Sequence, residues 1–199
     1  MLIKAIRSSL NMLLIWWVLT GLIYPMFVTG VAQTLMSFKA NGSILTNDHG
    51  LPMGSHLIGQ FFNAPGYFWG RPSETESFPN NALASAGSNL GPSSSRLIET
   101  INLRVQALKD LDPKNPLPIP VDLVTASASG LDPEISLAAA HYQIPRIAIS
   151  RHLEPGVIEA LLVKHQISAQ PFFWNEPRVN VLELNLALDR LKMVQNDKD

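Results

Sequence analysis

Cysteine is absent from all 199 residues, which excludes thiolate zinc sites, cysteine nucleophiles and disulfides. Neither sign of charge dominates: 15 Lys and Arg stand against 16 Asp and Glu, a net of −1, so no nucleic-acid footprint or polybasic membrane patch is present. Missing too are the Gly-x-x-x-x-Gly-Lys-Ser/Thr spacing of a phosphate-binding loop, the Gly-x-Ser-x-Gly turn of a hydrolase nucleophile and the His-Glu-x-x-His pair of a zinc peptidase. His49, His56, His141, His152 and His165 form no close pair, and the carboxylates are scattered, so neither a metal site nor an acid/base pair is legible. The most informative absence is local: no charged residue occurs from Ser8 through Phe38.

What stands there instead is "LNMLLIWWVLTGLIYPMFVTGV". A helix over 10–31 rises roughly 33 Å at about 1.5 Å per residue, enough to cross a hydrocarbon core of about 30 Å. Gly21 and Pro25 are tolerated in such a helix, and Trp16 and Trp17 sit deep enough to pack on a partner helix. A cleaved signal peptide ending near Ala32 is the competing expectation, disfavoured because a signal's apolar core is typically only 7–15 residues long. Lys4 and Arg7 precede the run, so the positive-inside rule assigns 1–9 to the cytoplasm and 32–199 to the far side of the membrane. The expected architecture is one N-terminal transmembrane helix followed by a mixed α/β (α+β) extracytoplasmic domain.

Within that domain, "NDHG" at 47–50 predicts a hairpin turn between short strands. Residues 63–92 are rich in Pro, Gly, Ser and Asn without periodicity, with Tyr67, Phe68 and Trp69 just before Arg71. So long an aperiodic stretch points either to a binding surface or to a loop pinned within its own domain. Tyr67, Trp69, Arg71 and Asn89 are the candidate partner contacts, because aromatics and Arg anchor interfaces. Ser93 to Ser95 cap a helix whose apolar positions recur as far as Leu111. "VDLVTA" predicts an edge strand, and Asp132-Pro133-Glu134 predicts a helix start, Asp132 as cap and Pro133 in the first position. Ile144-Pro145 is expected to interrupt that helix. Pro155 opens another, through His165, and a short strand about Val179 precedes a C-terminal helix.

The small-residue run "TASASGLDPEIS" has three possible uses: phosphate cradle, nucleophile turn or tight entry to a helix. With one glycine and no lysine the cradle is weak, and capping explains Ser127 and Ser129 better than catalysis does. A membrane-anchored hydrolase using Ser127 or Ser129 with Asp132 and one of His141, His152 or His165 is the alternative function. Arg71 and Arg178 suit structural ion pairs.

Taken in order, "YFWGRPSETES", "SAGSNLGPSS", "VDLVTASASGLDPEIS", "AAAHYQIPRIA" and "EPRVNVLELNLALD" behind one span closely resemble the C subunit of the Kdp potassium-transporting ATPase. Ala86 and Ala128 stand where that family commonly has Gly, Glu74 where it has Ala, and Asn175 where Gly usually precedes Glu-Pro. The resemblance implies an accessory subunit of a bacterial inner-membrane pump, without catalytic residues or a tightly bound cofactor. Its implied partners are a potassium-channel-like subunit, a P-type ATPase subunit and a small hydrophobic subunit, besides membrane lipid. It further implies a catalytic chaperone that raises the ATPase subunit's affinity for ATP, with Gln143 as a nucleotide contact. The expected orientation places Gln143 outside, where ATP is absent, which favours a stabilising or capping role over the pathway subunit.

Overall fold

A computed structural model describes residues 1–168 and 176–196; Asn175 lies outside the described residues. The chain divides into two units, Met1–Ile44 and Leu45–Asp199. In the first, α1 (Leu2–Val18) passes through one π-helical turn (Leu19–Ile23) into α2 (Tyr24–Leu35), a continuous apolar helix of 34 residues enclosing the expected span. Pro25 has no N–H to return to the Gly21 carbonyl, and the widened turn lies directly before it. The hydroxyls of Ser9, Thr20 and Thr34 bond to the carbonyls of Ala5 (2.9 Å), Trp16 (2.7 Å) and Gly30 (2.9 Å), so they add no bare donor to the apolar surface. No residue of the helix is buried. A short helix, α3 (Ser37–Ala40), follows.

The expected hairpin follows, β1 (Ile44–Thr46), whose first residue closes the first unit, with β2 (Pro52–Ser55). Asn47 sets its turn: Oδ1 accepts from His49 N (3.0 Å) and Leu51 N (2.9 Å), and Gly50 supplies φ 74°. Residues 56–94 contain no helix or strand. Next come α4 (Ser95–Leu111), then β3 (Glu134–Ser136), α5 (Leu137–Arg151), α6 (Pro155–His165) and β4 (Gln166–Ile167). β5 (Arg178–Asn180) runs directly into α7 (Val181–Asn196). The sheet is antiparallel in the order β3-β5-β4, with Ile135 opposite Val179. Those two side chains meet Ala139, Ile147, Ile158, Leu162, Leu184 and Leu188 from the helices, and Phe68 from the aperiodic stretch, in one core. Burying each of the large ones stabilises the fold by roughly 1.5–3 kcal/mol.

Three local expectations give way to tertiary packing. "VDLVTA" is a 3₁₀ turn (Val121–Leu123), not a strand. Its main chain closes on itself, Leu123 N donating to Pro120 O and Val124 N to Val121 O (both 3.2 Å), while Leu123 and Val124 are buried in the core. Asp132-Pro133-Glu134 opens a strand instead of a helix, because Glu134, Ile135 and Ser136 pair with β5 and Pro133 O accepts from Val181 N at 2.9 Å. The helix cap moves to Ser136, whose Oγ accepts from Ala139 N at 3.0 Å. Finally, α5 continues through Pro145. Proline leaves the His141 carbonyl without its helical donor, but His141 and Pro145 both lie on the half-exposed side, while the buried residues 142–144 and 146–148 hold the helix on either side of them.

Candidate functional site

Between α5 and α7 the chain threads residues 65–69, and side chains of both helices grip its backbone. Gln143, 2% exposed, receives Trp69 N on Oε1 (2.8 Å) and donates from Nε2 to Trp69 O (3.1 Å) and Ala139 O (3.1 Å). Asn185, on α7, does the same to the neighbouring residue: Oδ1 receives Phe68 N (2.8 Å) and Nδ2 donates to Phe68 O (2.9 Å). Arg146 donates to the carbonyls of Pro65 and Tyr67 and to Gln143 Oε1 (2.8 Å), with its guanidinium 4.6 Å from the Trp69 ring centre. Burial lowers its pKa to about 10, the nearby Asp112 and Tyr142 acting in the opposite sense. Arg151 donates to Gly66 O and pairs with Asp189 (2.8 Å) while lying 4.5 Å from the Tyr67 ring centre. Tyr67 Oη donates to the other Asp189 oxygen at 3.1 Å; burial, then the Asp189 charge, raises its pKa. Every donor and acceptor of the Gln143 amide is thereby used within the domain.

A second junction answers what the small-residue run does. Residues 126–132 lie along residues 59–87, joined main chain to main chain: Gly59 N to Leu131 O (2.9 Å), Ser127 N to Pro72 O (3.1 Å) and Ala86 N to Ser129 O (3.0 Å). The approach is close enough that a Cβ on Gly87 would stand 2.6 Å from Ala128 O. Gly130, at φ 67°, would meet Ala86 O at 2.5 Å in the same way. Arg71 binds Asp132 Oδ2 (3.1 Å) and Ala126 O (3.3 Å), and Asp132 Oδ1 accepts from Glu134 N (3.1 Å). Among the described residues Arg71 Nε and Ser127 Oγ are buried without a partner. Arg178 reaches diagonally across the sheet to Glu134. A hollow of about 300 Å³ opens beside this junction, bordered by Phe62, Trp69, Arg71, Asn80, Arg104 and Leu108. Its two guanidiniums are already matched, Arg104 by Glu74 at 2.6 Å.

The structure therefore brings Tyr67, Trp69 and Gln143 together in one cluster and places Arg71, Asp132 and Pro133 in the other, with Arg178 next to it. Asn89 stands apart, exposed at φ 52°. Among the described residues neither Ser127 nor Ser129 bonds to His141, His152 or His165; Ser129 Oγ accepts from Leu131 N (3.1 Å), and His141 faces Glu159 (3.4 Å). No group of three or more His, Asp or Glu suited to a metal ion occurs among the described residues. Sequence reasoning missed Arg146, Arg151, Asn185 and Asp189. The available signal was polar residues set within buried helical stretches, as in Leu184-Asn185 and Pro145-Arg146-Ile147.

The family described as KdpC, the K+-transporting ATPase c chain, matches residues 6–190. A Potassium-transporting ATPase KdpC subunit of Methylibium petroleiphilum is 55% identical over 184 residues, covering 92% of this chain and 96% of the relative. Its counterpart in Methylococcus capsulatus is 52% identical over 191 residues, covering 96% and 100%. That of Herminiimonas arsenicoxydans is 50% identical over 187 residues, covering 94% and 98%. The likeness takes in the apolar helix, both backbone junctions and the sheet, and the chain belongs to the KdpC family of potassium-transporting ATPase c chains.

Proposed function

We propose that this chain is a non-catalytic accessory subunit of a potassium-transporting ATPase complex in the bacterial inner membrane, with its N-terminus cytoplasmic and its folded domain outside. The carrying observation is the helix Leu2–Leu35, long and apolar enough to span and with no buried residue, so that its apolar length is open to lipid or to other helices. Lys4 and Arg7 at its start support the orientation. A channel-like subunit, a P-type ATPase subunit and a small hydrophobic subunit are the partners, and Trp16 and Trp17, both exposed, are suited to pack on one of their helices. The domain stabilises the assembly or caps the pathway subunit.

A chaperone effect on ATP affinity, in this reading, passes through the assembled subunits. Gln143 supports that route over direct contact, since its amide already makes four internal hydrogen bonds. The test has two arms. A tagged chain purified from membranes in mild detergent should carry larger hydrophobic proteins with it, and protease added outside spheroplasts should digest the domain. Recovery of the chain alone sinks the subunit assignment; protection from protease reverses the topology and revives direct contact of Gln143 with ATP.

A further inference from the structure

Asn41-Gly42 is the one Asn-Gly pair in the sequence, and it stands just past the apolar helix, within the first unit. Both residues are exposed. Asparagine is a thermolabile residue, most of all before glycine, because no Cβ on the following position hinders attack by its backbone nitrogen on the side-chain amide. The fold restrains both reacting groups. Gln33, on the last turn of α2, faces Asn41 amide to amide: Gln33 Nε2 donates to Asn41 Oδ1 (3.2 Å), and Asn41 Nδ2 donates to Gln33 Oε1 (3.1 Å). Asn41 Nδ2 also donates to Ser37 O at 2.8 Å. The attacking atom is tied as well: Gly42 N donates to Lys39 O (3.2 Å), and at ψ 24° the Asn41 backbone turns that nitrogen away from the Asn41 Cβ.

From this arrangement we infer that Asn41 is a site of spontaneous deamidation, held in check by Gln33. In the reaction Gly42 N loses its proton to solvent base and bonds to Asn41 Cγ; the Cγ–Nδ2 bond breaks, and the nitrogen takes up a proton and leaves as ammonia. A five-membered succinimide remains. Water then opens the ring, its hydroxyl going to a carbonyl carbon and its proton to the ring nitrogen. Opening at Cγ gives aspartate; opening at the main-chain carbonyl gives isoaspartate. Nothing is oxidised or reduced. Ring closure requires rotation about the Asn41 Cα–C bond, which breaks the bond from Gly42 to Lys39, and release of Nδ2 from Gln33 and Ser37. Gln33 is the one side chain that reaches across to hold this amide, which makes it the guard. Either product sets a carboxylate where Nδ2 had donated to two oxygens, so acceptor meets acceptor and the turn at the end of α2 comes unfastened for good. This chemistry belongs to the chain itself, whichever subunits it meets.

The test compares conversion at position 41 in the full-length chain, held in mild detergent at mildly alkaline pH, by peptide mass spectrometry that separates aspartate from isoaspartate. A synthetic peptide of residues 38–45, "FKANGSIL", gives the unrestrained rate. The peptide should convert fastest and the wild-type chain several-fold more slowly, with Gln33→Ala between them. Gln33→Met keeps a long side chain of good helix preference but neither bond, and should match Gln33→Ala. Exposed Asn89, followed by Leu90, should stay asparagine throughout. Wild-type conversion as fast as the peptide overturns the proposal, as do equal rates in wild type and both variants. So does acceleration in Gln33→Ala with none in Gln33→Met, which would trace the effect to a frayed helix end.

Discussion

Gln143 and Asn185 hold adjacent residues of one passing irregular segment by the same device, each side-chain amide closing a two-bond ring on a backbone, Trp69 for one and Phe68 for the other. The two amides come from different helices. Removing either leaves buried main-chain groups without partners. Gln143→Ala should therefore destabilise the domain by about 2–3 kcal/mol. Denaturant titration of the full chain measures it, alongside ATP affinity of the assembled complex. Unchanged stability with lost ATP affinity would mean that Gln143 serves nucleotide rather than fold.

Tyr67, Trp69 and Arg71 are likewise bound within the domain. Alanine at Trp69 should lower the melting temperature, since it removes a partly buried ring, the Nε1 bond to Ala64 O (3.0 Å) and the platform under Arg146. The expected cost is about 3 kcal/mol, typical of truncating a large packed side chain. Unaltered melting with lost co-purification would assign the ring to a partner instead.

Asp132→Ala should cost about 1 kcal/mol, through loss of its turn bond to Glu134 N and its contact with Arg71. Because the two side chains are in contact, the double variant with Arg71→Ala should cost less than the sum of the singles. Strict additivity would deny the pair. Ser129→Ala, whose hydroxyl accepts only a local bond, should leave transport nearly intact; loss of transport in a folded, assembled variant would favour the hydrolase.

Gly130→Ala should destabilise more than an ordinary surface change, by about 2 kcal/mol or more, because left-handed backbone costs an L residue about 1–2 kcal/mol before any clash. Here Ala86 O and Thr75 Cγ2, at 2.5 and 2.6 Å, stand in the way of the new methyl. Wild-type melting in this variant would refute the close approach.

Stability should also fall on the acid side. Burial is the largest influence on His165 and holds its pKa below the ordinary value, with Glu183 opposing and Lys164 and Arg190 reinforcing. As pH drops below about 6.5 the unfolded chain takes up a proton that the folded one resists. The contribution is present above that value and is lost as pH falls through the folded pKa. His165→Gln should flatten this slope in denaturant midpoints; an unchanged slope would assign it to other groups.

The features readable in advance were those with a local physical cause. A charge-free run announced the long helix, Asn47 and Gly50 the hairpin, an apolar period α4, whose N-cap residue Ser94 makes no side-chain cap bond, and Pro155 the start of α6. Asp132-Pro133-Glu134 carried an equally good helix signal, yet sheet pairing of Ile135 with Val179 overrode it. The Gln143 grip was illegible for another reason: its partner is the main chain of Trp69, which every residue possesses, so no side-chain pattern advertises it. The same holds for the junction of residues 59–87 with 126–132, hinted at only by its glycines.

That junction changes what the irregular segment is in time. Its amides at Gly59, Ser127 and Ala86 are tied to carbonyls far away along the chain, so none can open by local fraying at one end. Exchange of these protons with solvent water requires separating the two strips, which means disturbing the sheet and helices that follow directly from the second. A stretch with no helix or strand should thus exchange as slowly as the core, moving as part of one cooperative unit while it looks, by shape alone, like a loop.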